Sequence, residues 1–237
     1  MQGVPCYNGP VKLNRLHSWQ VAPTEAMELQ RLLAPSVSRV AELPDPIRYV
    51  AGVDISPPDA DGVCTGAVVV LAYPSLEVVE VRVHRERPAM PYVPGLLSFR
   101  ETPVLAGALE ALAITPDLLL VDGQGLAHPR RFGIACHLGL LTGLPAVGCA
   151  KSLLVGVHGP LGDEAGAWAE LVDRGEVVGA ALRTRTGVTP VYVSIGHRMD
   201  LGQARRWTLA CCTRYRLPEP TRLAHPAAAG TLQPSLS

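Results

Sequence analysis

The chain has 237 residues, of which 48% are hydrophobic and 18% are charged, and its formal net charge at pH 7 is zero. This composition supports a sizeable core in one or two domains and excludes global disorder, while zero net charge argues against binding nucleic acid by bulk positive charge but leaves room for local basic patches. The sequence has no membrane-length apolar stretch, no signal-peptide core and no C-x-x-C pair, so we expect a cytoplasmic protein with reduced thiols and no membrane partner.

The first half of the chain predicts an arm, a helix and a meander of strands. Residues 1–20 are predicted to form an extended N-terminal arm. A helix is predicted over 24–42, with Thr24 as its N-cap and an interruption near Pro35. Three strands are predicted next, joined as an antiparallel meander by short turns, at 47–56, 64–74 and 76–86.

The second half alternates helices with apolar strands, which is typical of parallel strands buried on both faces. The predicted elements are a helix at 95–113, a strand at 117–125, a helix at 131–142, a strand with a loop at 145–156, closing strands at 175–185 and 190–201, and a helix at 202–216. The tail, 217–237, is rich in Pro, Ala and Ser and is predicted to be disordered. The expected fold class is therefore α/β, with one domain over 21–216 built on a mixed sheet flanked by helices.

Two carboxylates stand at the ends of apolar strands. Asp54 ends the strand in "VAGVDIS", and Asp122 ends the strand in "LLLVDGQG". A charge in that position is costly to bury unless it is paired. Either residue alone could be a turn former. Together they predict a crevice at one edge of the sheet with the oxygen ligands that Mg²⁺ or Mn²⁺ prefers.

Basic residues follow the same strands. They are His128, Arg130 and Arg131 in "GLAHPRRFG", Lys151 in "GCAKSLLVG", and His197 and Arg198 in "SIGHRMDL". Each alone could be a solvated or structural residue, but at one sheet edge the group would suit a phosphate. There is no Walker A or G-x-G-x-x-G pattern, so nucleoside triphosphate binding is poorly supported.

Five segments in order carry a resemblance to a known family: "VAGVDIS", "PYVPGLLSFRE", "LLLVDGQGLAHPRRFGIACHLG", "GCAKSLL" and "SIGHR". Over roughly residues 20–215 the chain resembles the Endonuclease V family of deoxyinosine 3′ endonucleases. The resemblance implies an RNase H-like fold and a role in DNA repair. It also implies Mg²⁺-dependent nicking, for which Mn²⁺ can substitute, at the second phosphodiester bond 3′ to deoxyinosine. The products would carry a 3′-hydroxyl and a 5′-phosphate.

The resemblance also implies roles for individual residues. It assigns metal-binding carboxylates to Asp54, Glu101 and Asp122, further catalytic residues to Lys151 and His197, and a strand-separating wedge to Pro91, Tyr92, Val93 and Pro94. We expect weaker phosphate contacts from His128, Arg130 and Arg198, and a protein that acts as a monomer. The chain departs from many members at Gln124, where they have histidine, and at Cys136, where they have serine.

The wedge has a physical rationale, and alternatives to the whole assignment stay open. Prolines stiffen the loop, and an aromatic ring offsets the cost of unstacking a base. Taken alone, the same stretch could be a Pro-rich turn packed on the core. The motifs do not separate DNA from single-stranded RNA as the inosine-bearing substrate. A non-catalytic nucleic-acid binder or a structural oligomer would leave the retained carboxylates unexplained.

Overall fold

The computed structural model describes residues 10–232, which form one nine-stranded sheet with helices on both faces. The strands are β1 (Tyr49–Ile55), β2 (Cys64–Ala72), β3 (Glu77–Glu86), β4 (Leu118–Val121), β5 (Ala146–Ala150), β6 (Val157–His158), β7 (Trp168–Asp173), β8 (Glu176–Leu182) and β9 (Val191–His197). The helices are α1 (Pro23–Leu33), α2 (Leu97–Glu110), α3 (Ile134–Thr142), α4 (Leu201–Ala210) and α5 (Glu219–Ala228), and a 3₁₀ turn, Ala34–Ser36, follows α1.

The sheet is mixed, as predicted. Its order is β3-β2-β1-β4-β5-β9-β8-β7-β6. The first three strands form the antiparallel meander. Strand β4 pairs in parallel with β1, and β5 pairs in parallel with β4. Strand β9 is antiparallel to β5, and β8 is antiparallel to β9. Helices α2 and α3 make the crossovers into β4 and β5. The carboxyl ends of β1, β4 and β5 therefore meet at one edge, which we call the carboxyl edge.

Alternate residues of each central strand pack against different helices, as the twofold period of a strand requires. In β1, Ala51 and Val53 belong to the core beneath α2 and α3, whereas Val50 belongs to the core beneath α4 and α5. Gly52 faces the start of α5. A Cβ there would lie 2.0 Å from the carbonyl oxygen of Pro220, so the close approach of α5 requires glycine.

The prediction of a disordered tail is wrong for residues 219–228. Residues 219–228 form α5, with Pro220 in its first turn and Glu219 as the acidic residue that favours a helix start. Ala224 and Ala227 are buried against β1 and β2, so tertiary packing orders a segment whose composition alone suggested none.

Other boundaries differ in smaller ways. Thr24 lies within α1, whose N-cap is Ala22, and α4 ends at Ala210 rather than continuing to 216. Strands β6 and β7 were not predicted. Residues 10–20 of the predicted arm contain neither helix nor strand, and residues 1–9 and 233–237 lie outside the described residues. Among the described helices, none is long and apolar enough to cross a membrane.

Candidate active site at the carboxyl edge of the sheet

Asp54 and Asp122 are neighbours in the sheet. Val53 of β1 is paired with Val121 of β4 in parallel register, and each aspartate is the next residue of its strand. Adjacent strands lie about 4.8 Å apart, and side chains at equivalent register point to the same face. The two carboxylates are therefore held side by side by the backbone pairing, as the sequence predicted.

Glu101 is added to this pair by α2, which follows the loop after β3. The pKa of Glu101 is raised to about 8, first by burial and then by the negative charge of Asp54; Arg100 opposes the shift, and Asp122 adds to it. Burial also raises the pKa of Asp122, and the charge of Asp54 contributes to the same direction. The three carboxylates thus form one electrostatically coupled group, assembled from two strands and a helix.

Two basic side chains contact this group. The Lys151 ammonium forms an ion pair with Asp122. Burial lowers the pKa of Lys151, but the hydrogen bond and charge of Asp122 outweigh it, so the pKa is raised overall and the ammonium stays charged at neutral pH. On the other side, Nδ1 of His225 lies 2.9 Å from Oδ2 of Asp54.

His225 was not among the residues predicted from the sequence, which named His197 as the histidine of the site. His197 ends β9, which runs antiparallel to β5, and it is paired with Ala146 at the amino end of β5. Lys151 follows the opposite end of β5, about 16 Å away along the strand. The Nδ1 of His197 accepts a hydrogen bond from the backbone N–H of Ser38 instead. This placement keeps His197 away from the carboxylates, and its predicted catalytic role stays a prediction.

The carboxylates fit a divalent cation by their chemistry. Among residues 10–232, no group of three or more His, Cys, Asp and Glu side chains is arranged to hold a metal ion. Asp122 forms an ion pair with Lys151, and Asp54 contacts His225. The pKa of Glu101 is raised first by burial and then by the charge of Asp54, and a hard divalent cation bound to the carboxylate oxygens would offset both effects.

The predicted wedge lies on the loop between β3 and α2, residues 87–96. Tyr92 is 68% exposed. Its ring borders a pocket whose other walls include Ser98 of α2, Gln124 and His128 from the segment after Asp122, and Leu154 from the loop after Lys151. The wedge, the pocket and the carboxylates therefore share segments of the chain, and the pocket opens beside the site.

The loop is fixed by its Gly95 carbonyl. This oxygen accepts hydrogen bonds from Nε2 of Gln30 at 3.0 Å and Nη2 of Arg130 at 2.7 Å, and it lies 3.1 Å from Nε2 of His128. Burial, together with the charge of Arg130, lowers the pKa of His128 to about 4, so the ring is neutral at pH 7. Both side chains hold the Gly95 carbonyl of the loop, and their weaker phosphate contacts stay a prediction.

Arg198 is also placed differently from its prediction. It follows His197 at the amino end of β5, away from the carboxylates. Its Nη1 donates to the carbonyl of Gly143 at 2.8 Å, and its Nε lies 3.5 Å from Glu42. Arg198 therefore bonds to residues at the edge of the sheet opposite the carboxylates, and its phosphate contact stays a prediction.

A family model described as Endonuclease V matches residues 31–226. The chain belongs to the Endonuclease V family. The Endonuclease V of Roseiflexus sp. (strain RS-1) is 57% identical over 206 residues, which cover 87% of this chain and 91% of the relative. The crystal structure of Endonuclease V from Streptomyces avermitilis is 42% identical, with a TM-score of 0.84, and the match covers 93% of this chain and 96% of that one.

A third Endonuclease V, from Ciona intestinalis, has a crystal structure in complex with a 24-mer DNA containing an inosine followed by a ribo-adenosine. It is 27% identical, with a TM-score of 0.76, and covers 87% of this chain and 96% of that one. Membership of the Endonuclease V family makes this protein a nuclease that hydrolyses phosphodiester bonds.

The two departures from the usual Endonuclease V residues lie at different depths. Gln124 borders the pocket, and its Nε2 donates to the carbonyl of Ser152 at 3.0 Å. Cys136 is fully buried in α3, and burial raises the pKa of its thiol to about 12, which makes it inert. Only the Gln124 departure is placed to affect what the pocket binds.

Proposed function

We propose that this protein is a DNA-repair endonuclease that nicks a strand at the second phosphodiester bond 3′ to a deoxyinosine and depends on Mg²⁺, with Mn²⁺ as a substitute. The observation that carries the proposal is the meeting of Asp54, Glu101, Asp122 and Lys151 at one sheet edge, beside a pocket bordered by exposed Tyr92. The inosine-bearing DNA bound by the Ciona relative supports the choice of lesion.

The side chains at the carboxyl edge would have different roles in the reaction. Asp54, Glu101 and Asp122 would hold the metal ion. A divalent cation there supplies Lewis-acid polarisation of the phosphodiester and activation of water. Lys151 stabilises the negative charge that develops on the phosphate, since its ammonium stays protonated. His225 orients the Asp54 carboxylate through its 2.9 Å contact.

The pocket would receive the flipped base. Tyr92 offers a stacking surface, because its ring is exposed on a loop fixed at Gly95. Two polar atoms in the pocket-lining residues have no partner among the described residues, Oγ of Ser98 and Oε1 of Gln124. Buried polar groups without partners are costly, so a base that hydrogen-bonds to them gains affinity over one that does not.

The test uses an end-labelled duplex with one deoxyinosine, beside the same duplex without it, in Mg²⁺ and in EDTA. We expect a metal-dependent nick one bond beyond the inosine's own 3′ phosphodiester, absent from the control duplex. Asp122→Asn should lower the rate by more than about a hundredfold while preserving the fold. Equal cutting of both duplexes, or full activity in EDTA, would refute the proposal.

A paired substitution tests the placement of the two histidines. His225→Gln removes the partner of Asp54 and should slow cutting, whereas His197→Gln lies at the other edge of the sheet and should cut like the unaltered protein. Circular dichroism and urea unfolding verify that both variants are folded. Normal cutting by His225→Gln together with slow cutting by His197→Gln would show that the carboxyl edge is not the site of the reaction.

RNA is the second candidate substrate, because the nucleotide after inosine in the strand bound by the Ciona relative is a ribonucleotide. An inosine-specific endoribonuclease would use the same carboxylates and the same pocket. Matched inosine-bearing DNA and single-stranded RNA oligonucleotides separate the two. Cutting of the RNA alone would move the function from DNA repair to RNA.

A further inference from the structure

A basic patch lies beside the candidate active site and has no part in it. Residues 201–216 contain four arginines and no aspartate or glutamate, although the whole chain has zero net charge. The basic patch, as we define it, consists of Arg185, Arg214, Tyr215, Arg216 and Arg222, from the loop after β8, the segment between α4 and α5, and α5 itself.

Tyr215 forms the centre of the patch. The Arg222 guanidinium lies 4.3 Å from the centroid of its ring, and the Arg214 guanidinium lies 5.1 Å from it. The ring is still 37% exposed. The patch therefore combines an exposed aromatic surface with cations held in place around it.

Hydrogen bonds connect the patch to the active-site edge. Arg216 donates through Nη2 to the carbonyl of Lys151 and to that of Pro190, each at 2.8 Å. Arg185 donates through Nη1 to the carbonyl of Arg214. Within α5, Arg222 stands one turn before His225, which contacts Asp54. A strand in contact with the carboxylates thus has the patch directly beside it.

Most of the positive charge of the patch is uncompensated. Arg222 is paired with Glu219, and the nearby Asp163 is paired with Arg183. In the described part of the chain, Arg185, Arg214 and Arg216 form no ion pair with a carboxylate, and the Arg214 guanidinium lies beside the Tyr215 ring. Arg216 uses its Nε and Nη2 on the carbonyls of Thr189, Lys151 and Pro190, so Arg214 offers the fork best suited to phosphate oxygens.

We propose that the basic patch binds the backbone of the nucleic-acid strand next to the bond that is cut, with Tyr215 as a stacking surface for an unpaired base. The identity of that strand as the substrate rests on the proposed function. Phosphate contacts and base stacking are independent of sequence, so the patch contributes affinity and leaves recognition of the lesion to the pocket.

The test measures binding of a lesion-free, single-stranded DNA oligonucleotide in EDTA, by fluorescence anisotropy at salt concentrations from about 50 to 300 mM. Arg214→Gln should weaken binding about fivefold at 0.1 M salt and reduce the slope of log Kd against log[salt] by about 0.7, the value for one lost phosphate contact on a single strand. Tyr215→Leu should weaken binding about fivefold or more with the slope unchanged.

Arg48→Gln is the matched control. Arg48 is exposed, forms no ion pair with a carboxylate among the described residues, and precedes β1 at the edge opposite Asp54, about 20 Å away along the strand. Arg48→Gln loses the same charge as Arg214→Gln, so its affinity for the oligonucleotide and its slope of log Kd against log[salt] should match those of the unaltered protein. Equal behaviour of Arg214→Gln and Arg48→Gln would overturn the proposal.

The result is separable from the proposed function, because the binding measurement needs neither inosine nor cutting. If the unaltered protein nicks the inosine duplex while Arg214→Gln binds normally, the patch proposal fails and the function stands. If the patch variants lose binding and no inosine strand is cut, the proposed function fails and the patch proposal stands. With an inosine substrate, Arg214→Gln should raise KM about fivefold and leave kcat and the preference for inosine unchanged.

Discussion

Replacing Glu101 with glutamine should stabilise the metal-free protein at alkaline pH. The folded state holds the pKa of Glu101 at about 8, against an ordinary value of 4.5, because burial and Asp54 oppose its ionisation. Each pH unit between these values contributes about 1.4 kcal/mol, which gives an upper bound of about 5 kcal/mol. Partial contact with water reduces this, so we expect about 3–5 kcal/mol.

The direction of this change in the free energy of unfolding with pH follows from the protons bound in the folded and unfolded states. Below pH 4.5 the carboxyl is neutral in the folded and unfolded chains, and the substitution has no effect through this charge. Between pH 4.5 and about 8 only the unfolded chain releases the proton, so the stability of the unaltered protein falls as pH rises. Glu101→Gln stays neutral throughout, and its advantage is complete above pH 8.

The assay is urea unfolding in EDTA at pH 5, 6, 7 and 8. Glu110→Gln, an exposed position on the same helix, is the matched control and should follow the unaltered protein at every pH. Mg²⁺ added at pH 8 should restore stability to the unaltered protein more than to Glu101→Gln, because it binds the ionised carboxylates. Parallel pH curves for Glu101→Gln and the unaltered protein would refute the electrostatic coupling of the site.

Three further substitutions test the fold and the loop. Gly52→Ala places a Cβ against the Pro220 backbone and should lower the free energy of unfolding by about 1–3 kcal/mol, whereas Gly107→Ala meets only a side chain and should cost less; equal urea midpoints would contradict this. Tyr92→Ala should weaken binding of inosine DNA about tenfold in a titration without changing the melting temperature. Arg130→Met should lower the free energy of unfolding by about 2 kcal/mol in urea, because the loop loses charge-assisted hydrogen bonds, and an unchanged midpoint would count against that anchoring.

The strand-end carboxylates could be predicted from the sequence because local pattern and topology agree. An apolar run followed by aspartate, found twice, places Asp54 and Asp122 at the same edge once β1 and β4 are parallel. The helix after the 87–96 loop likewise brings Glu101 to that edge. The two aspartates could be inferred from the ends and directions of their strands, whereas Glu101 was assigned by the family resemblance alone.

The histidine could not be placed by the same reasoning. His197 follows a strand just as Lys151 does, but β9 runs opposite to β5, so the two residues finish at opposite edges. Strand direction in the second half of a mixed sheet depends on long-range pairing, which the local pattern does not contain. His225 lies in α5, whose alanines and prolines resemble a tail until Gly52 leaves room for the helix to pack.

The docking of α5 on β1 has a consequence for how the enzyme is made. Asp54 and His225 are 171 positions apart in the chain, and contacts of such separation close late in folding. A nascent chain that reaches only residue 216 carries all three carboxylates, yet it lacks α5, the partner of Asp54 and the cover over Val50, Val69 and Leu71. We therefore expect a chain that ends at residue 216 to cut nucleic acid far more slowly than the chain with α5 docked.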